Sequence, residues 1–222
     1  MTLGIVSDCI HVQMPDGAVG TENHILLYQF EALANYFDKV IICCPFVEWD
    51  NSKVVTLYQN KSIGFLQLPN VGGNNWRDKL QLLKIIPVWW KSFKNLDKLT
   101  DIVYQRFPNN LNIPGFFFFK LRNKKVFATY TGTWNKYPNE PATYKFQKWL
   151  LRNWFKGPVW VYIDKPVDNT QIRKGFSPSY SNKVWQEEIE QVNKRIDNLI
   201  RNQSNLILKL ISVGALVTNK NQ

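Results

Sequence analysis

Cysteine and histidine are scarce in this chain. Three cysteines (Cys9, Cys43 and Cys44) and two histidines (His11 and His24) are all that its 222 residues contain. Two of the cysteines are adjacent and none forms a CxxC spacing. That argues against a disulfide framework or a zinc site and for a reducing cytoplasm. Two histidines are too few for a histidine-rich metal centre, so neither a metal nor another cofactor is expected. Long apolar runs are missing as well. No stretch approaches the roughly 18 residues of a membrane span, and the longest aromatic run is residues 116–119. Residues 1–8 lack the basic leader and small-residue cleavage site of a signal peptide.

What the chain has in abundance is apolar and basic residues. An apolar content of 45% is enough for a packed core. The length accommodates one large domain, or one domain and a fragment. Net charge is +11, and there are nine tryptophans. Such a surface favours anionic partners, whether nucleic acid, an acidic bilayer, or phosphates and sugar nucleotides; alternatively, much of the charge is simply solvated.

Strand-like runs alternate with helical periodicity along the chain. Residues 2–7 (TLGIVS) read as a first strand, followed by a polar loop to Thr21. Apolar positions between 22 and 36 recur at helical spacing. Residues 39–45 (KVIICCP) form the continuous apolar run that a parallel sheet buries on both faces. Short strands are expected at 54–58 and 63–68, with a turn between them. Residues 76–96 are helical, with Pro87 expected to kink or split the helix. A strand at 101–106, an aromatic helix at 113–121, a strand at 125–131, a helix at 142–155 and a strand at 159–163 follow. The βα alternation predicts an α/β fold with a Rossmann-like, doubly wound, mainly parallel sheet.

Beyond residue 164 the texture becomes that of a linker loop rich in Pro, Gly, Asn and Ser. Trp185, Ile189, Val192, Ile196 and Leu199 then recur at spacings of three and four, which predicts an amphipathic helix over 183–201. A last strand is expected at 206–213. The domain division is therefore 1–165, a linker and helix at 166–204, and the opening of a second domain at 205–222.

Ligands of an open α/β sheet bind beyond the carboxyl ends of its strands. The first such segment is residues 8–22, DCIHVQMPDGAVGTE. Gly17 and Gly20 either let the backbone approach a ligand or merely shape a long turn. Thr21 and Glu22 are expected to open the next helix, whose amides would favour an anion. The segment is neither GxGxxG nor a Walker loop.

This glycine-containing loop, the βα order and the terminal SVGALVTNKNQ together resemble the retaining glycosyltransferases of the GT-B class, in which two Rossmann-like domains face each other. Residues 210–221 resemble the motif that opens the donor domain of that class. The resemblance implies that the chain is the N-terminal, acceptor-side half of such an enzyme, running just into the donor domain. Its substrates would be a nucleotide-sugar and a glycan or lipid-linked acceptor in polysaccharide or cell-envelope synthesis. It further implies that Gly17, Gly20 and Thr21 lie by the donor phosphates and that Lys220 meets the diphosphate. The family more often carries arginine where Ala215 stands. Where relatives often place a histidine, this chain reads Thr131, Gly132, Thr133, Trp134. Thr131, Gly132 and Trp134 would then hold a sugar, unless Trp134 is a packing residue. Catalytic residues are not assigned: most of the donor site lies outside the chain, and the chain alone is expected to be inactive.

The helix at 142–155 aligns Lys145, Lys148, Arg152 and Lys156 in one stripe, beside Phe146, Trp149, Leu150 and Trp154. This is either a surface for an anionic membrane, with the protein peripheral on the inner face, or a core face with a solvated basic stripe. Nucleic acid is the weaker partner class, because no RNP, KH, helix-turn-helix or zinc pattern is present. A non-catalytic carbohydrate- or membrane-binding module is the alternative to the enzyme.

Overall fold

The computed structural model describes residues 1–50, 54–71, 76–163, 169–175 and 182–201, without the side chains of 76–83, 182–185 and 199. The chain divides into two compact units, Met1–Ser177 and Pro178–Gln222. The expected strand at 206–213 and Lys220 lie outside the described residues.

The first unit is α/β with a mostly parallel, mixed sheet of ten strands. Seven of these form a continuous parallel array: β6 (Ile63–Pro69), β4 (Lys39–Glu48), β1 (Thr2–Val6), β7 (Ile102–Phe107), β8 (Lys125–Tyr130), β9 (Val159–Val161) and β10 (Ile172–Lys174). The array starts from β1, builds outward through β4 and β6, then returns to the other side of β1 and builds outward again. This is a Rossmann-like strand order, and it places a topological switch point between β1 and β7.

Both faces of the central strands are buried, and side-chain alternation divides the core between them. Leu3, Ile5, Val40, Ile42, Cys44 and Tyr104 pack with α1 (His24–Ala34) on one face. Val6, Ile41, Cys43 and Val103 point the other way, against α2 (Trp76–Leu99) and α3 (Asn112–Leu121). The same face continues through Phe107, Ala128, Tyr130, Val159 and Val161 to α4 (Ala142–Asn153). The vicinal cysteines thus serve opposite cores, and all three cysteines are free thiols.

Several expectations change. The expected loop after β1 is a hairpin, β2 (His11–Gln13) against β3 (Val19–Thr21), and β2 adds in parallel to the end of β4. Three-residue strands are too short to leave a periodic signal. Thr21 consequently ends a strand rather than opening α1. Asn23 caps that helix instead, its side chain accepting from the Leu26 amide at 3.1 Å. The two short strands around residue 60 do not pair with each other: β5 (Thr56–Leu57) joins β3, and β6 joins β4. Of the kink or split expected at Pro87, the split does not occur: helix α2 continues through it, because an exposed proline removes one backbone bond while the buried side chains of Trp89, Phe93 and Leu96 still hold the helix to the sheet. Finally, β10 adds a strand where the composition suggests only a linker.

The second unit contains α5 (Asn182–Arg201), close to the expected helix at 183–201.

Candidate functional site

The carboxyl ends of β1 and β7 meet at the switch point, where an open α/β sheet offers its ligand crevice. Strand β1 delivers Ser7, Asp8 and Cys9 there. Ser7 is fully buried; its amide donates to the Cys43 carbonyl at 3.2 Å and its hydroxyl accepts from the Cys9 amide at 3.2 Å. Strand β7 delivers Arg106, followed by a cis peptide between Phe107 and Pro108 and then by Asn109.

A buried amide network fixes this turn. Asn109 accepts from the Asn112 amide at 2.7 Å and donates its side-chain amide to the Arg106 carbonyl at 2.5 Å. Asn112 donates to the same carbonyl at 2.6 Å. From α4, Gln147 accepts from the Asn109 backbone at 2.9 Å. Buried polar groups tied in this way leave few alternatives for the backbone, so the turn is preorganised.

Charge is concentrated at these two strand ends. Asp8 is exposed as a residue, but neighbouring atoms crowd its carboxyl, and that desolvation raises its pKa. The Arg106 guanidinium and a hydrogen bond to Asn109 act in the opposite direction. Arg106 is half-buried, and its Nε has no hydrogen-bond partner. A carboxyl with a shifted pKa, a guanidinium with a spare donor and a fixed amide make a set that suits a polyhydroxylated or anionic ligand. The neighbouring Cys9 thiol is raised in pKa by burial and contacts the Thr21 hydroxyl at 3.3 Å, so it is not activated as a thiolate.

Thr131 and Gly132 follow β8 on the same edge of the sheet. The Thr131 amide and hydroxyl both donate to the Phe107 carbonyl, at 2.8 and 3.1 Å, and both residues remain half-exposed. Trp134 lies in the core instead: it is 2% exposed, with Tyr130 edge-on at 5.2 Å and the Arg152 guanidinium 4.7 Å over its ring. Its faces are therefore taken by protein, as the packing alternative expects.

The glycine segment lies in the hairpin. Gly17, at φ +87°, closes the turn between β2 and β3, and its exposed position is open to solvent. Gly20 is buried in β3, where a Cβ would stand 2.5 Å from the Thr56 carbonyl oxygen. Thr21 is buried, donating to the Ile10 carbonyl at 2.8 Å and accepting from the Asn23 amide. Each has a structural duty that accounts for its identity. Next to them, His11 is buried among Phe46, Tyr58 and Phe65. It bonds the Cys9 carbonyl at 2.8 Å and the Tyr58 hydroxyl at 2.9 Å, and burial lowers its pKa to about 4.

The stripe on α4 divides. Lys145 and Arg152 are exposed, as is Lys156 just beyond the helix. Lys148 is not. It is buried beside Glu140 at 2.5 Å, donates to the Asn135 carbonyl at 3.1 Å and lies over the rings of Tyr130 and Tyr137. Helical spacing assigned it to a solvent stripe because the covering segment 130–140 is not part of the helix. Three aromatic rings take the exposed place. Phe146, Trp149 and Trp154 are 41, 45 and 45% exposed; Trp149 stacks on Phe146 at 6.0 Å and lies tilted against Trp154 at 5.3 Å. Lys120 lies 4.8 Å over Trp154.

No protein-family model, curated protein or solved structure matches the chain. Among the described residues, no helix is long and apolar enough to cross a membrane.

Asp8, Arg106 and Asn109 were not singled out in the sequence. The only signal for Asp8 is its position one step past the first strand, and Arg106 reads as an ordinary strand end.

Proposed function

We propose that this chain is the acceptor-side half of a nucleotide-sugar-dependent glycosyltransferase of the GT-B class, acting on a glycan or lipid-linked acceptor. The observation that carries the proposal is the cluster of Asp8, Arg106 and Asn109 at the switch point of a Rossmann-like strand order. The resemblance of residues 210–221 to a donor-domain opening supports it. In this reading Asp8 accepts hydrogen bonds from sugar hydroxyls and Arg106 donates to a hydroxyl or phosphate of the acceptor. Thr131 and Gly132 border the same crevice. Gly17 and Lys220 remain the family-derived candidates on the donor side, whereas Gly20 and Thr21 are buried in β3 and held by protein contacts.

The α4 surface favours a second, compatible role. Three exposed aromatics edged by Lys120, Lys145, Arg152 and Lys156 suit the interface of an anionic membrane, which would bring a lipid-linked acceptor to the crevice. If the donor domain plays no part, this surface and the crevice describe a non-catalytic carbohydrate- or membrane-binding module.

A glycan array probed with the 222-residue chain tests the proposal. Binding to a defined sugar class that is lost in Arg106→Ala supports it. A folded chain that binds no sugar on the array, or binds equally well after Arg106→Ala, contradicts it.

A further inference from the structure

Helix α5 is 20 residues long, about 30 Å, and so spans nearly three heptads. Ile189, Val192 and Ile196 are 37, 48 and 47% exposed, and every described side chain from 186 to 201 is exposed. A helix of this length is marginal in water by itself and gains stability by burying its apolar stripe. The stripe has the alternating four-three spacing of a coiled-coil seam: Ile189 and Ile196 occupy a positions, and Val192 a d position.

The charges say what kind of partner fits. The first half of α5 carries Glu187, Glu188 and Glu190 against a single lysine, Lys183. The second half carries Lys194, Arg195 and Arg201 against a single acid, Asp197. One ion pair, Lys194 with Glu190 at 2.7 Å, is satisfied within the helix on its outer side. Beside the seam, Glu188 and Arg195 both occupy g positions. In a parallel pair each would face an e position, where this helix has Gln186, Asn193 and Ile200, so no charge would be matched. In an antiparallel pair the g positions face each other, and Glu188 of one helix meets Arg195 of the other, twice over. Glu188 and Arg195 are also equally far from the two ends of α5. Antiparallel helices laid flush therefore bring these charges together, with Ile189 beside Val192 of the other helix at the centre.

We propose that α5 is a homodimerisation element, pairing antiparallel with α5 of a second copy of this chain about a two-fold axis. Such an interface is isologous: the same patch serves both sides, and the opposite charge bias of its two halves makes it self-complementary. This inference is independent of the glycosyltransferase reading, since it concerns the second unit alone.

Sedimentation velocity on the 222-residue chain at tens of micromolar tests it, with circular dichroism confirming that each variant is folded. The wild type is expected to be a dimer. Glu188→Lys and Arg195→Glu, each alone, place like charges opposite each other, and each should weaken dimerisation by at least about tenfold. An equimolar mixture of the two single variants restores opposite charges at both contacts and should recover the dimer. Ile189→Asp should abolish it in every background. A wild type that is monomeric throughout shows that the stripe is satisfied within one chain and overturns the proposal. So does a dimer indifferent to both charge reversals, or single variants whose mixture fails to recover the dimer.

Discussion

Glu140→Gln removes the charge that Lys148 is buried against while leaving the shape of the side chain unchanged. The side chains of Lys148 and Glu140 are 4% and 1% exposed, and their charged atoms lie 2.5 Å apart. Glu140 Oε1 has no aligned hydrogen-bond donor, so the contact is an ion pair rather than a directed bond. Removing one member of a buried pair costs about 3–5 kcal/mol, because the remaining charge is stranded in a poorly solvated place. Lys148 would keep the Asn135 carbonyl and the faces of Tyr130 and Tyr137. The low end, about 3 kcal/mol, is therefore expected. For a chain of this size that corresponds to a fall in Tm of about 6–12 °C. Glu140→Leu combined with Lys148→Met replaces both charges with apolar groups of similar size and should recover most of the loss. Calorimetry on these three proteins is the assay. A Glu140→Gln variant within about 2 °C of wild type would mean that water reaches Lys148 and that the burial argument is wrong.

Further outcomes follow from other parts of the fold. His11 has a folded pKa near 4 against an ordinary 6.5, so below pH 6.5 the unfolded chain binds a proton that the folded one refuses. Stability should fall by up to about 3 kcal/mol between pH 6.5 and 4 and level off below; His11→Phe, measured by urea denaturation at each pH, should flatten that window. Gly157→Ala sets a methyl group 1.8 Å from the Val126 carbonyl oxygen, so the backbone must move; loss of soluble protein or a Tm lowered by several degrees is the expected result. Anionic vesicles should sediment the chain in a salt-sensitive way, and Trp149→Ala with Trp154→Ala should reduce the binding by at least about tenfold; equal binding to neutral vesicles would contradict an electrostatic contribution.

The parallel sheet was legible because strands buried on both faces leave unbroken apolar runs, as residues 39–45 do. The β2–β3 hairpin was not legible: its strands are three residues each, within a segment that reads as polar loop. Strand β10 was hidden by its proline- and glycine-rich surroundings. Periodicity placed Lys148 correctly on α4 but could not reveal what covers that face, because Glu140 and Tyr130 precede the helix. Asp8 and Arg106 are nearly a hundred positions apart, and only the return of β7 to the side of β1 makes them neighbours. Strand order is a tertiary property that no local pattern carries, so the cluster became visible only in the fold.

The central claim is that the crevice between β1 and β7 binds a sugar-containing acceptor. Its most direct test is an NMR titration of the labelled chain with the best-binding glycan from the array. The account predicts saturable shifts at Ser7, Asp8, Arg106, Asn109, Thr131 and Gly132, abolished by Arg106→Ala. Saturable shifts confined to other parts of the sheet, or none at these six residues, would contradict it.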